Sequence, residues 1–232
     1  MFEDVKRAIV VVAHPDDMET VMGGTVAMLT ERGVFVVEAL LTNGDIGTSG
    51  AIPPDLTRAK LASIRQAEAR EAAAELGVHD VVFLDRPDGE LVADLALRSE
   101  VARLYRHYQP DTLFTFDPSW VGQAHPDHTA AGRAAIDAYM PSKMPLYHPE
   151  HLFEGLKVAD LKRVYLFGGS TIQDLVVDVT PYWDRKLRAT LKHVSQFPDP
   201  KGPMEWLEKW GGETGQRVGA KYGEAFSTMN VW

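Results

Sequence analysis

The sequence predicts an α/β fold: a single-domain, Rossmann-like doubly wound sheet, mostly parallel, with helices on both faces. Short β-branched runs alternate with helical patterns along the first half of the chain, the order that builds right-handed βαβ units. The connections are short, and no repeat, linker or low-complexity segment interrupts them, so residues 1–232 read as one domain. The 232 residues are 45% hydrophobic and 25% charged, an ordinary globular mixture that can bury a substantial core.

Ala8 to Ala13 is a continuous apolar run, the mark of a strand covered on both faces. A helix is expected over Thr20 to Arg32, with Val21, Thr25, Met28 and Leu29 on one side and Gly33 placed as a left-handed cap. Val34 to Leu41 is a second strand, apolar except for Glu38. Thr42 to Asp55 is rich in Gly, Thr, Ser and Pro and reads as a loop leaving that strand's carboxyl end. Thr57 to Leu76 is a long Ala-rich helix closed by Gly77. Val81 to Leu84 is a third strand, followed by the turn Arg86-Pro87-Asp88-Gly89. Leu95 to Tyr108 is a helix with Pro110 just beyond its end, and Thr112 to Phe116 is a fourth strand. Past Met140, Arg163 to Phe167 and Leu175 to Val179 read as strands, and Tyr182 to Val194 as a helix with an alternating Lys/Arg face. Phe197 to Gly215, with its Pro/Gly clusters and two Trp, reads as a lid or a subunit contact rather than core.

Composition excludes several classes. The 24 basic and 33 acidic residues give a net charge of -9, which argues against nucleic-acid or anionic-membrane partners. Cysteine is absent, so any metal must sit on nitrogen and oxygen ligands. The amino terminus is acidic with no signal-type apolar block, and no run approaches the ~18 apolar residues of a membrane span. A cytoplasmic protein is expected.

Chemistry-bearing side chains concentrate in two stretches. The first is His14-Pro15-Asp16-Asp17-Met18-Glu19, at the tip of the first strand. A dinucleotide turn would need Gly-x-Gly-x-x-Gly there, and two carboxylates would repel a phosphate. A helix cap accounts for one of those carboxylates but not for two side by side. The second stretch is His125-Pro126-Asp127-His128, at the start of a helix-forming run, with Pro126 suited to the first helical position and Asp127 complementing the helix dipole. Both stretches follow strands of the same sheet, so topology brings them to one edge, where open α/β sheets place their sites. Two His and one carboxylate with an open position form a common catalytic zinc arrangement. A metal-bound water activated towards attack on a carbonyl then needs a base and an acid or oxyanion partner. Three His and two Asp supply three ligands, one base and one acid; spacing alone does not divide those roles.

His-Pro-Asp-Asp-x-Glu paired with His-Pro-Asp-His resembles the LmbE-like (PIG-L) family of zinc-dependent N-deacetylases. The resemblance implies that His14, Asp17 and His128 bind one Zn2+, that Asp16 is the general base, and that His125 stabilises the transition state. It extends to Gly23-Gly24-Thr25, to Arg65-x-x-Glu68 and Leu76-Gly77-Val78, to Asp88-Gly89, and to Lys186 with His193-x-Ser195-Gln196. It further implies sugar contacts from Arg65 and Asp88, an N-acetylated sugar as substrate, and a homo-oligomer. Lys186 and His193 are expected to support the fold or an interface and Glu19 to orient His14 or His128, while a helix-surface ion pair with Glu68 is the alternative to a sugar contact for Arg65. Some relatives carry Tyr where this chain has Gln123. The 42–55 loop and the segments around Trp120 and Trp206 are candidate walls of a sugar site. The competing expectations are a metal-dependent amidase or esterase on a non-sugar substrate, and a non-catalytic metal- or sugar-binding protein.

Overall fold

Strand β1 (Arg7–Val12) runs through the centre of the molecule, with Ile9 to Val12 fully buried. It pairs in parallel with β2 (Phe35–Thr42) on one side and β4 (Thr112–Phe116) on the other. The β-branched side chains along it explain this position, because a central parallel strand is covered by helices on both faces. Outward from β2 lies β3 (Asp80–Arg86), and outward from β4 lies β5 (Arg163–Phe167), all parallel. The computed structural model describes residues 2–48, 53–169 and 172–231. Part of the Thr42 to Asp55 loop, residues 49–52, lies outside the described residues.

Helix α1 (Asp17–Glu31), α2 (Arg58–Leu76) and α7 (Trp183–Thr190) pack together against one face of the sheet. The other face carries α3 (Leu95–Tyr108), α4 (Pro126–Asp137) and the short α5 (Tyr139–Lys143), with α6 (Pro149–Phe153) beyond it. The mostly parallel, doubly covered sheet expected from the sequence is therefore the observed fold. Local signals set the helix ends. Thr57 Oγ1 accepts from Lys60 N at 3.2 Å at the start of α2, and Gly77 closes it at φ 72°. Asp94 caps α3 in the same way, accepting from Leu97 N at 2.7 Å.

The carboxyl-terminal third departs from expectation. The sheet has seven strands in the order β3-β2-β1-β4-β5-β7-β6, with β6 (Leu175–Asp178) at the edge. Strand β7 (Gly223–Met229), absent from the sequence reading, inserts antiparallel between β5 and β6. Its mixed sequence, with Glu224 and Ser227 buried, hides the alternation that marks a strand. The helix expected over Tyr182 to Val194 is shorter: a 3₁₀ turn over Thr180–Tyr182 leads into α7. Phe197 to Gly215, expected as a lid or a subunit contact rather than core, packs in part into the core. Most of it is helix α8 (Lys201–Gln216), packed on β7 and β6 with Leu207 buried. The glycines that suggested a loop permit close packing instead: a Cβ at Gly211 would stand 2.3 Å from the Trp183 indole.

Among the described residues, no helix is long and apolar enough to cross a membrane. One buried ion pair ties the carboxyl-terminal third to the first helix. Lys186 Nζ lies 2.6 Å from Glu224 Oε1, and the same carboxylate accepts from Gly24 N, Thr25 N and Thr25 Oγ1 at 2.6–3.0 Å.

Candidate active site

The end of β1 turns sharply at His14. Asp17 Oδ2 accepts from His14 N at 2.8 Å, while Asp17 N donates back to His14 O at 3.3 Å. Asp16 between them takes φ 103°, a left-handed conformation costly to a residue with a side chain. Its carboxylate makes no cap bond to α1, so capping does not explain it. Pro15 and Asp16 are gripped from behind: Arg65, buried on α2, donates to Pro15 O at 2.6 Å and stands 3.3 Å from Asp16 Oδ2. Arg65 also donates to Gly44 O at 3.0 Å.

The second cluster arrives at the start of α4, as topology required. Pro126 is the first helical residue, and His125 is the cap, its Nδ1 accepting from Asp127 N at 3.3 Å. Gln123, in the place of the Tyr seen in some relatives, accepts from His125 N through Oε1 at 3.1 Å and shapes the approach to the helix. The His128 ring stacks on Phe116 at the end of β4, with centroids 4.1 Å apart.

Three side chains converge, Asp17 meeting the two imidazoles through different carboxylate oxygens. His14 Nδ1 lies 3.2 Å from His128 Nε2 and 3.5 Å from Asp17 Oδ2, and His128 Nε2 lies 3.1 Å from Asp17 Oδ1. An ion held there would have the two imidazole nitrogens and the Asp17 carboxylate around it. The His125 ring packs against His14 at 4.4 Å between centroids, and a nitrogen from each of His14, His125 and His128 falls within 4.8 Å of the others. Either set of donors could hold a metal. On the far side of the His14 ring, Nε2 faces Asp88 Oδ1 at 3.0 Å and Asp127 Oδ2 at 3.4 Å. Nε2 donates to these carboxylates, and a metal bound at Nδ1 would displace the ring's other proton.

The electrostatics suit a cation there. Burial alone would lower the His14 pKa, but the carboxylates of Asp127, Asp17 and Asp88 outweigh it and raise it to about 12. Asp17 is held well below the carboxylate range, the neighbouring His128 and His14 overcoming its burial. Asp16 moves the other way: burial pushes it up to about 6, against the pull of Arg65. Burial, reinforced by the charges of His14 and His128, keeps His125 below the usual imidazole range. His125 is thus neutral near pH 7, and with Nδ1 accepting from the backbone its proton sits on Nε2.

These groups open onto a pocket of about 370 Å³ that Arg65, Asp88, Ile46, Thr48 and Gln196 also line. All seven residues singled out from the sequence therefore meet in one cleft. Asp88 and Arg65 face the cleft but also bind protein: Asp88 through His14 and Ile46 N, Arg65 through Pro15 and Gly44.

Two pairings differ from expectation. Glu68 does not pair with Arg65; its carboxylate accepts from Ser195 N at 2.7 Å and Ser195 Oγ at 2.6 Å, which pins the segment carrying Gln196 to the cleft rim. Glu19 orients neither His14 nor His128. It is fully buried with its carboxylate 3.4 Å from His193 Nε2, because the helix turns it inward, away from the metal-facing side.

Sequence reasoning missed two residues of weight. Asp127 accepts from Gly89 N at 2.7 Å and Leu91 N at 3.2 Å as well as facing His14, so it binds the Asp88 turn to the second cluster. Its place between two His was the available signal. Glu38 lies buried in β2, and burial together with the charges of Glu19, Asp17 and Asp16 raises its pKa well above the carboxylate range. A single acid in an otherwise apolar strand was the sign of it.

This edge-of-sheet His/Asp centre belongs to a known class of enzymes. Residues 9–139, more than half the chain, match the family model PIG-L, described as GlcNAc-PI de-N-acetylase. The chain belongs to the PIG-L family of deacetylases. A diacetylchitobiose deacetylase of Thermococcus kodakarensis is 33% identical over 198 residues, covering 85% of this chain and 73% of that one. The N,N'-diacetylchitobiose deacetylase from Pyrococcus horikoshii, solved with its inhibitor MPG, superposes with a TM-score of 0.92 at 32% identity, covering 99% of this chain and 85% of that one. A 4-oxalmesaconate hydratase of Pseudomonas putida is 30% identical over 192 residues, covering 79% of this chain and 71% of that protein.

Proposed function

We propose that this protein is a zinc-dependent hydrolase that removes the acetyl group from an N-acetylated amino sugar of the N-acetylglucosaminyl type, or from its conjugate. The observation that carries the reading is the meeting of His14 Nδ1 and His128 Nε2 at 3.2 Å over the Asp17 carboxylate, whose Oδ2 lies 3.5 Å from the first and whose Oδ1 lies 3.1 Å from the second, beside Asp16 and His125. In this reading those three residues hold Zn2+, whose oxygen- and nitrogen-only donor set suits that ion. When bound there, the ion would lower the pKa of a water and polarise the acetamide carbonyl.

The chain's own groups do the rest. Asp16, raised to about 6, is placed to accept the proton of the attacking water near neutral pH. Neutral His125 donates from Nε2 to the oxyanion that develops on the carbonyl. Asp88 and Asp127 accept from His14 Nε2 and so orient Nδ1 towards the ion, which would displace the proton there. Arg65 fixes the Pro15-Asp16 turn and, with Asp88, faces the sugar from the cleft wall. The substrate class is supported by the relatives named for diacetylchitobiose and by the family description. The reading also holds that residues 1–232 form one domain, that the protein is a cytoplasmic homo-oligomer, and that neither nucleic acid nor membrane is a partner.

The test is amine release from a panel of N-acetylated sugars, with the metal stripped by chelation and Zn2+ restored. Release that depends on added metal supports the reading. No release from any sugar, with hydration of an unsaturated tricarboxylic acid such as 4-oxalmesaconate instead, would move the protein towards its hydratase relative. Metal-dependent cleavage confined to non-sugar amides or esters would replace the substrate class alone.

A further inference from the structure

Trp120 and Trp206, candidate walls of a sugar site from the sequence, line a separate cleft. The reaction pocket is walled mostly by polar side chains, and one of them, Gln196, has no part in the chemistry above. It stands on the segment that follows α7, and its hydrogen bonds fix which way its amide points.

The orientation follows from the donors and acceptors around it. The Glu68 carboxylate only accepts, so the Ser195 hydroxyl gives its one proton to Glu68 Oε2 at 2.6 Å. Ser195 Oγ is then an acceptor for Gln196, 3.1 Å from Nε2. The other neighbour, Gly47 O, is a carbonyl that can only accept, and it lies 2.8 Å from Nε2. Two acceptors at one end of the amide make that end the NH2 group, and both of its protons are in use. Oε1 lies at the other end. Among the described residues nothing donates to it.

Gly47 sets what that oxygen meets. A Cβ at Gly47 would stand 3.3 Å from Gln196 Oε1 and would overlap Arg65 Nη1, and all three residues line the reaction pocket. The bare backbone therefore leaves a gap with a guanidinium on one side and an unused amide oxygen on the other. Arg65 Nη1 donates one N–H to Gly44 O at 3.0 Å and keeps a second. The guanidinium can only donate and Oε1 can only accept, so the group that satisfies both must accept and donate at a single atom. A hydroxyl does so. The acetamide does not, because its carbonyl belongs at the reaction centre and its N–H accepts nothing.

We infer that Gln196 Oε1 accepts a hydrogen bond from one hydroxyl of the substrate sugar, the same hydroxyl accepting from Arg65. Gln196 is thus a specificity-determining residue, and Glu68 and Ser195 are positioning residues that act through it. The inference rests on the sugar-deacetylase reading above and adds a recognition contact to it.

The test measures kcat/KM for amine release from N-acetylglucosamine and from its 3-, 4- and 6-deoxyfluoro analogues, in which fluorine accepts weakly and donates nothing. In the wild type one position should cost about three- to tenfold through KM, the range of a single neutral hydrogen bond. Gln196→Met should lose a similar factor on N-acetylglucosamine itself and then be indifferent to fluorine at that position. Gln196→Asn, which draws the amide back by one methylene, should show the same indifference and stands in if the Met variant does not fold. Ser195→Ala loosens the same segment but keeps Oε1, so it should keep the wild-type preference. Equal discrimination in the wild type and both Gln196 variants overturns the inference, because a residue that only supports the rim lowers all substrates alike. A wild type indifferent to fluorine at every position overturns it too. If no N-acetylated sugar is turned over, the deacetylase reading falls, and calorimetric titration with the same sugars decides the inference alone. Weakening at one position in the wild type that vanishes in Gln196→Met keeps it; absence of either removes it.

Discussion

Asp88 Oδ1 stands 3.0 Å from His14 Nε2, on the face of the imidazole opposite Asp17 and His128. The sequence suggested that Asp88 touches the substrate; its position adds a grip on the ring that would carry the metal. Removing such an outer partner typically costs about 10–100-fold in metal affinity. Asp88→Ala should therefore lose Zn2+ to a competing chelator at lower chelator concentration than the wild type, measured by metal content after equilibrium dialysis. Full metal retention with a rise in KM alone would leave Asp88 as a substrate contact only.

Asp16 and Asp17 are adjacent but should part company on mutation. Asp17→Ala removes one of the three converging donors, so metal content and activity should fall together. Asp16→Asn should keep the metal and lose about 10²–10⁴-fold in kcat, the usual weight of a general base. Equal metal loss in both would show that the two carboxylates share the ion.

The buried Lys186–Glu224 pair predicts a stability effect separate from chemistry. Both side chains are 2% exposed, and Glu224 also satisfies the amides of Gly24 and Thr25. Lys186→Met leaves that carboxylate uncompensated, and breaking a buried pair in this way costs about 3–5 kcal/mol. A drop in the urea midpoint checks it, and a shift too small to resolve would mean that water reaches Glu224.

His193 gives a pH dependence with a definite sign. Burial lowers its pKa, but Glu19 at 3.4 Å, aided by Asp16, outweighs burial and leaves it raised. The charged pair's contribution to folding is then fully present below the unfolded value of about 6.5 and is lost as pH rises through the folded value. The stability lost in His193→Gln should therefore be greater at pH 6 than at pH 9, measured by urea unfolding at each pH. A difference independent of pH would mean that the pair is not ionised.

The first five parallel strands and the meeting of the two His clusters were legible because their signals are local: β-branched runs, Gly33 and Gly77 as stops, Thr57 and Asp94 as starts. Strands Thr112–Phe116 and Arg163–Phe167 and helix Leu95–Tyr108 fall where the pattern put them. Strand β7 and helix α8 were not legible, because their character is set by distant partners. Glu224 is tolerated in a buried strand only because Lys186 and two backbone amides meet it, and Gly211 serves a helix only because Trp183 packs on it. At the site, motifs pointed to the His and Asp side chains that meet in the cleft, while the partners of Glu19, Glu68 and Asp127 depended on which way each helix faces.

The left-handed backbone at Asp16 has a consequence for anyone seeking a sturdier version of this protein. A side chain at φ 103° carries about 1–3 kcal/mol of strain that glycine would relieve. A selection that rewards only expression or heat resistance would therefore drift to glycine at position 16 and discard the carboxylate. If Asp16 is the general base proposed above, the best-behaved variant on the gel would be the one that no longer turns over, so a library at this turn has to be screened for turnover from the first round.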